Sequence, residues 1–218
     1  MGSGGAPYVE LHLHSCYSFL EAASQPDELV TRAVELGYEA LALTDHDGLY
    51  GAMAFAQACA VAGLQPITGV ELTLAHGVEQ VDSGPVHLTL LAESQRGYAN
   101  LCRLITLAHR AGRDQAGQVT LDPAFLERQA EGLIVLSGCR SSEVARLIDA
   151  GRFAEAAAAA RRLASWFGPA NTFVELQHNL VRGDTQRVDR LAELAERLGL
   201  EIVATGNVHY HERGRHRL

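Results

Sequence analysis

Ala40-Leu41-Ala42-Leu43-Thr44-Asp45-His46-Asp47 is the stretch on which the fold turns: an apolar run leads straight into threonine, two acids and a histidine. A short continuous apolar run fits a strand buried on both faces, as in parallel sheets. Its polar tail falls at the carboxyl end, where (β/α) barrels carry their functional residues. With Ala40–Thr44 as one strand, six further runs read the same way: Tyr8–Leu13, Pro66–Leu72, Val86–Leu91, Leu133–Ser137, Thr172–Leu176 and Ile202–Thr205.

Helical stretches lie between most of these runs. Ser24, with Pro26 and Asp27, opens a helix that Gly37 ends, and Tyr50–Ala62 ends at Gly63. Ser94–Ala111, Asp122–Ala130, Ser142–Ala150, the alanine-rich Phe153–Trp166 and Asp184–Leu198 follow. This β-then-α rhythm predicts an α/β fold of parallel strands with crossover helices. Seven units predict a closed or nearly closed barrel, ahead of a doubly wound open sheet. His76–Pro85 and Gly112–Val119 read as loops. Residues 1–7 read as a flexible leader or expression remnant, and residues 8–218 as a single domain.

Composition narrows the function. The 218 residues are enough for one sizeable core, and 47% hydrophobic with 20% charged residues is ordinary for a globular chain. A net charge of −8 argues against a free-standing duplex-DNA binder, which carries a basic surface. It leaves room for a substrate phosphate at a local metal centre. Cys16, Cys59, Cys102 and Cys139 have no CxxC spacing, which predicts a reducing, cytoplasmic setting. No run is long enough to span a bilayer, so no membrane partner is expected.

The histidines carry the chemistry. Strand alternation over Tyr8–Leu13 puts residues 8, 10, 12 and 14 on one face, aiming His12 and His14 together into the bore. Without a metal the two imidazoles need separate hydrogen-bond partners, whereas one cation satisfies both. An isolated HxH leaves a structural role equally open. Its company decides: Asp45 and His46, Glu71 after Gly69-Val70, Cys139 after Ser137-Gly138, and Asn207 and His209 all sit at strand ends. Glu21 lies in the first loop, and His87 opens the fourth strand, an exception to the pattern. His76, His109, His178, His211 and His216 read as surface residues, and Cys16, Cys59 and Cys102 as packed thiols.

His12-Leu13-His14-Ser15 with Tyr17-Ser18-Phe19-Leu20-Glu21, then Thr44-Asp45-His46, Gly69-Val70-Glu71 and Asn207-Val208-His209, resemble the motifs of the PHP (polymerase and histidinol phosphatase) domain. Ala42–Gly51, Val203–His211 and Arg215–Leu218 place the resemblance in the PHP domain of bacterial DNA polymerase III α-type subunits, nearest the error-prone branch. The resemblance implies a distorted seven-stranded (β/α)7 TIM-like barrel with its metal site at the carboxyl ends of the strands. It implies an N-terminal domain that a polymerase chain would continue. It implies two or three divalent metals (zinc, manganese or iron) held by His12, His14, Glu21, His46, Glu71, His87, Cys139, Asn207 and His209. Glu21 and Asn207 stand where the family usually has aspartate.

The expected chemistry is phosphoester hydrolysis by metal-activated water, with no side-chain nucleophile. Asp45 is expected to orient a ligand histidine, and Arg140 to contact substrate phosphate or form a helix-start salt bridge. In the polymerase setting this means 3′→5′ exonuclease trimming at a DNA 3′ end, or hydrolysis of pyrophosphate. The expected partners are DNA, phosphate or pyrophosphate, and the remainder of the polymerase, in a bacterial cytoplasm. The alternatives are an inactive scaffold module of the polymerase, which Asn207 favours, and a free-standing small-molecule phosphatase.

Overall fold

The strands up to residue 176 are explained by two apolar faces, one for helices and one for an inner layer, while the last strand leaves Ile202 exposed. The computed structural model describes residues 8–80, 84–114 and 119–216, so the expected leader 1–7 lies outside the described residues. The strands are β1 (Ala40–Leu43), β2 (Gln65–Leu74), β3 (Val86–Ala92), β4 (Leu133–Leu136), β5 (Thr172–Leu176) and β6 (Glu201–Ala204). They form one sheet in sequence order, an α/β half-barrel of mixed strands.

The helices are α1 (Pro26–Glu35), α2 (Ala52–Ala62), α3 (Gln95–Asp114), α4 (Ala124–Arg128), α5 (Glu143–Asp149), α6 (Phe153–Phe167) and α7 (Asp184–Leu198). Alternate strand residues meet them. Leu72, Leu88, Leu90 and Val135 pack on Leu101 and Leu104 of α3 and Leu163 of α6. Val174 packs among α5, α6 and α7, and Leu41 and Leu43 against α1 and α2. The intervening residues Ala42, Ile67, Leu91, Leu136, Phe173 and Val203 form the inner layer. The expected cap of α1 moves by one residue: Gln25 forms a capping box with Glu28, while the Ser24 hydroxyl binds His211.

Two expectations change. The sheet is not parallel throughout, because β3 runs antiparallel to both β2 and β4. Among the described residues no helix separates β2 from β3, and a crossover helix is what parallel neighbours usually require. The reversal also removes the His87 exception: the amino end of β3 lies beside the carboxyl end of β2, with His87 opposite Thr73.

The second change concerns the first run. Tyr8–Leu13 forms no strand, only isolated bridges from Glu10 to Leu41 and from Leu13 to Val208, so the described sheet has six strands rather than seven. Alternation fails there. Leu11 joins the inner layer, His12 next to it also turns inward, and Leu13 packs against the outer helices. Glu10 does not share their face either. Its carboxylate accepts from the backbone N–H groups of His12 (2.9 Å) and Gly206 (2.8 Å), in place of regular ladder bonds.

Candidate metal centre

Each strand delivers its polar residue above the inner apolar layer. The peptide after β1 is fixed by Asp47, which takes a left-handed φ of 49°. Its N–H donates to the Glu71 carbonyl (2.9 Å), and its carboxylate accepts from Thr73 N–H (2.7 Å) and hydroxyl (2.8 Å). That turn sets His46 in a bridge beside Glu71. Gly69 permits the close passage of β2, since a Cβ there would stand 2.6 Å from the Leu90 carbonyl oxygen. Gly138, at φ 92°, turns the chain after β4 and brings the Cys139 sulfur to 3.6 Å from His87 Nδ1.

Glu71 is the hub. Its Oε2 lies 3.3 Å from His12 Nε2, 3.2 Å from His14 Nε2 and 3.2 Å from His46 Nε2; its Oε1 lies 3.3 Å from His87 Nδ1. The other candidates attach to this group. Glu21 reaches His46 Nε2 (2.6 Å), Asn207 Oδ1 reaches His14 Nε2 (3.1 Å), and the His209 ring lies 4.8 Å from that of His14. His46 stacks on His14 at 4.7 Å. All nine sequence-derived ligand candidates therefore meet in one place.

Two observations bear on whether metals fit. His12 Nε2 and Glu71 Oε1 are buried and have no hydrogen-bond partner, although imidazole nitrogens surround the carboxylate. Close donor atoms that make no hydrogen bond to one another fit ligands gathered around a shared ion. Two donor sets also have ligand atoms close enough for one ion each: His12, His14 and Glu71; and His46, Glu71 and His87. The donor chemistry, imidazole with carboxylate and thiolate, suits zinc, manganese or iron.

The charges are correspondingly tense. Burial opposes ionisation of Glu71, yet His12 and its other histidine neighbours hold its carboxyl well below the usual range. Burial also opposes charge on His12, but Glu175 and Glu71 outweigh it and hold its pKa well above that of ordinary histidine. Burial pulls His46 and His209 down, with His14 adding to both shifts. Burial, with Glu71 beside it, pushes the Cys139 thiol well up.

The weaker assignments shift. Asp45 touches no histidine side chain. It accepts from Ser15 N–H (2.7 Å), Ser15 hydroxyl (2.7 Å) and Ser18 hydroxyl (2.8 Å), and Ser18 Oγ lies 3.3 Å from His14 Nδ1. Asp45 reaches His14 only through Ser18. Arg140 is exposed, lines a cleft with Cys139 and Glu175, and has no ion-pair partner among the described residues. Sequence reasoning passed over Glu175, whose Oε1 lies 2.7 Å from His12 Nδ1. Its signal was one acid in the apolar run Thr172–Leu176, on the inner side of β5. Of the histidines set aside, His211 binds the Ser24 hydroxyl and His109 lies 2.8 Å from the Asp47 carbonyl oxygen, both structural contacts.

Comparison with known proteins agrees with this geometry. Residues 10–179 match the family model for the PHP domain. An error-prone DNA polymerase of Symbiobacterium thermophilum is 44% identical over 220 residues, covering 94% of this chain and 19% of the relative. A DNA polymerase III subunit alpha of Treponema pallidum is 38% identical over 211 residues, covering 94% of this chain and 18% of the relative. The chain thus spans about a fifth of the length of these curated relatives. Among solved structures, a two-domain protein of Bacteroides vulgatus containing a predicted PHP-like metal-dependent phosphoesterase shares the fold at TM-score 0.58. It is 13% identical, with 95% of this chain and 53% of that chain covered. An amidohydrolase of Chromobacterium violaceum follows at TM-score 0.53 and 18% identity, covering 93% of this chain and 87% of that chain.

Proposed function

This chain belongs to the PHP domain family, and from that premise we propose that it is the metal-dependent phosphoesterase domain of an error-prone DNA polymerase. Residues 8–218 form this one domain, and the rest of the polymerase is its covalent partner. The substrate is a phosphoester at a DNA 3′ end, removed in the 3′→5′ direction, or pyrophosphate. The setting is the bacterial cytoplasm; among the described residues no helix is long and apolar enough to cross a membrane.

The observation that carries the reading is the convergence of four imidazoles on one buried carboxylate that still has an unpartnered oxygen. Glu71 belongs to both donor sets and would bridge two metals, with His12 and His14 on one and His46 and His87 on the other. Glu21, Cys139, Asn207 and His209 complete the set for two or three ions. Divalent metals there supply Lewis acidity toward phosphate oxygens and lower the pKa of water. The chain's own residues do the rest. Ser18, held by Asp45, fixes the His46 backbone through its N–H (3.0 Å) and stands beside His14. His46, His87 and Glu21 face the open side, where a phosphoester enters. Arg140, lining the cleft beside Cys139, meets a substrate phosphate oxygen.

A second reading, a catalytically silent scaffold of the polymerase, is favoured by Asn207 alone: a neutral amide occupies a position where charge would strengthen metal binding. One experiment separates the two. Elemental analysis of the chain purified without added metal, beside a His12→Ala/His14→Ala variant, is followed by assays on single-stranded DNA, pyrophosphate and histidinol phosphate. Two or three equivalents lost in the variant, with turnover of DNA or pyrophosphate, support the phosphoesterase. Metal without turnover supports the scaffold. No metal, and no rise in melting temperature on adding zinc or manganese, ends the metal reading.

A further inference from the structure

Glu175 is a carboxylate with no exposed side-chain surface, set at the carboxyl end of β5, and it is not among the nine candidate ligands. Its Oε1 lies 2.7 Å from His12 Nδ1 and accepts from Gln177 Nε2 (2.9 Å) and the Thr205 hydroxyl. Its own backbone N–H donates to the Ser137 hydroxyl (2.9 Å). Its other oxygen, Oε2, is buried without a hydrogen-bond partner.

A buried carboxylate is expensive unless a cation or several donors face it. Two arginines line the same cleft: Arg187 is already engaged by Asp149 and Asp184, and Arg140 is exposed and makes no ion pair with Glu175. Beside the neutral donors Gln177 and Thr205, the group in contact with Glu175 that can carry a positive charge is the His12 ring. The other nitrogen of that ring, Nε2, is the unpartnered atom beside Glu71. His12 therefore joins two carboxylates, one on each nitrogen; at Nδ1 Glu175 is the nearest partner (2.7 Å), ahead of Gln177 Nε2 (3.2 Å) and Thr89 Oγ1 (3.4 Å), and only the Glu71 side belongs to a donor set that fits an ion.

We infer that Glu175 is a positioning residue acting through His12: it holds the proton on Nδ1, so that the Nε2 lone pair is presented to the metal. A ligand histidine needs this partner, which fixes its tautomer and ring angle and strengthens its donor atom. The two histidines of the His12-Leu13-His14 pair are thus held differently. His12 meets a carboxylate directly, whereas His14 is reached from Asp45 only through the Ser18 hydroxyl. Thr205 and Gln177 keep the Glu175 carboxylate in register. The inference rests on the metal-centre reading.

The test uses the 218-residue chain, with zinc as the probe. Zinc affinity is measured by competition with a chromogenic chelator for the wild type, Glu175→Gln, Glu175→Ala and Thr205→Val. The zinc-loaded wild type is also examined by long-range proton–nitrogen NMR. The expected result is a His12 ring protonated at Nδ1, with zinc affinity reduced about 10- to 100-fold in Glu175→Ala. Glu175→Gln keeps an acceptor oxygen without charge and should recover part of that loss. Thr205→Val should show a smaller reduction in the same direction. Should Glu175→Ala fail to fold, the near-isosteric Gln and Val variants decide. Wild-type affinity in the folded variants, or a His12 proton found on Nε2, overturns the inference while leaving the metal centre standing. A wild type that binds no zinc removes the metal reading, and this role with it.

Discussion

The inner and outer halves of the candidate centre share Glu71 and differ in how the protein holds them. His12, His14 and Glu71 have side-chain exposures of 0%, 0% and 1%. Their second contacts are to groups fixed on other elements: Glu175, Ser18 and Asn207. His46 and His87 are 15% and 24% exposed, and Glu21, the partner of His46, is 49% exposed. A donor set already ordered by its neighbours loses little entropy when an ion arrives, whereas an exposed glutamate must give up its rotamers. On the proposed metal reading, the inner half would keep an ion and the outer half would exchange one and admit a substrate.

The largest test of that contrast removes what the halves share. Glu71→Gln should strip both ions, with a loss of affinity beyond the ten- to hundredfold typical of outer-shell changes; elemental analysis after dialysis reads it. A variant that keeps one full equivalent would show that the halves do not depend on a common bridge. Next in size is a paired comparison by urea unfolding of metal-free protein. His14→Ala, fully buried, should cost about 1–3 kcal/mol by leaving a void and unpaired polar neighbours. His46→Ala should cost less than half of that, and equal losses would erase the distinction between halves.

Asn207→Asp should tighten metal binding, by roughly tenfold, because it adds a charge beside His14. The backbone there has φ 47°, a left-handed conformation that aspartate tolerates nearly as well as asparagine. Unchanged occupancy would move Asn207 out of the ligand set. The smallest expected effect is that of Glu21→Ala on metal-free stability, within about 0.5 kcal/mol for a surface change. The same variant should still lower affinity for the more weakly held ion, seen as a lost second phase in zinc titration. A large stability loss would place Glu21 in the rigid half.

Much of this was legible in the sequence, for definable reasons. Apolar runs of four to seven residues pointed to β1 to β6, and ligand types at their ends pointed to the neighbourhood of the site. Strand direction was not written in the runs. β3 reads like its neighbours in hydropathy, and only the polar, helix-free connection after Leu74 hinted at reversal. Nor could alternation anticipate the first run. Leu11 and His12 both face inward because the inner layer takes one and the Glu71 cluster the other, while the Glu10 carboxylate caps His12 N–H. Glu175 escaped notice because a lone acid in a strand acquires meaning only from what lies opposite, and His12 is 163 residues away.

The bridge from Leu13 to Val208 has a temporal side. A ribosome that has made the His12–His14 pair must add 193 residues before His14 can meet Asn207. At roughly 5–20 residues per second, that is a wait on the order of ten to forty seconds. During it the two imidazoles have neither Glu175 nor Asn207 beside them. The nascent chain has no finished cage with which to choose among the cell's ions. On the proposed metal reading, selection of metal would fall to the completed fold, when donors from residues 12 to 209 are first in place together.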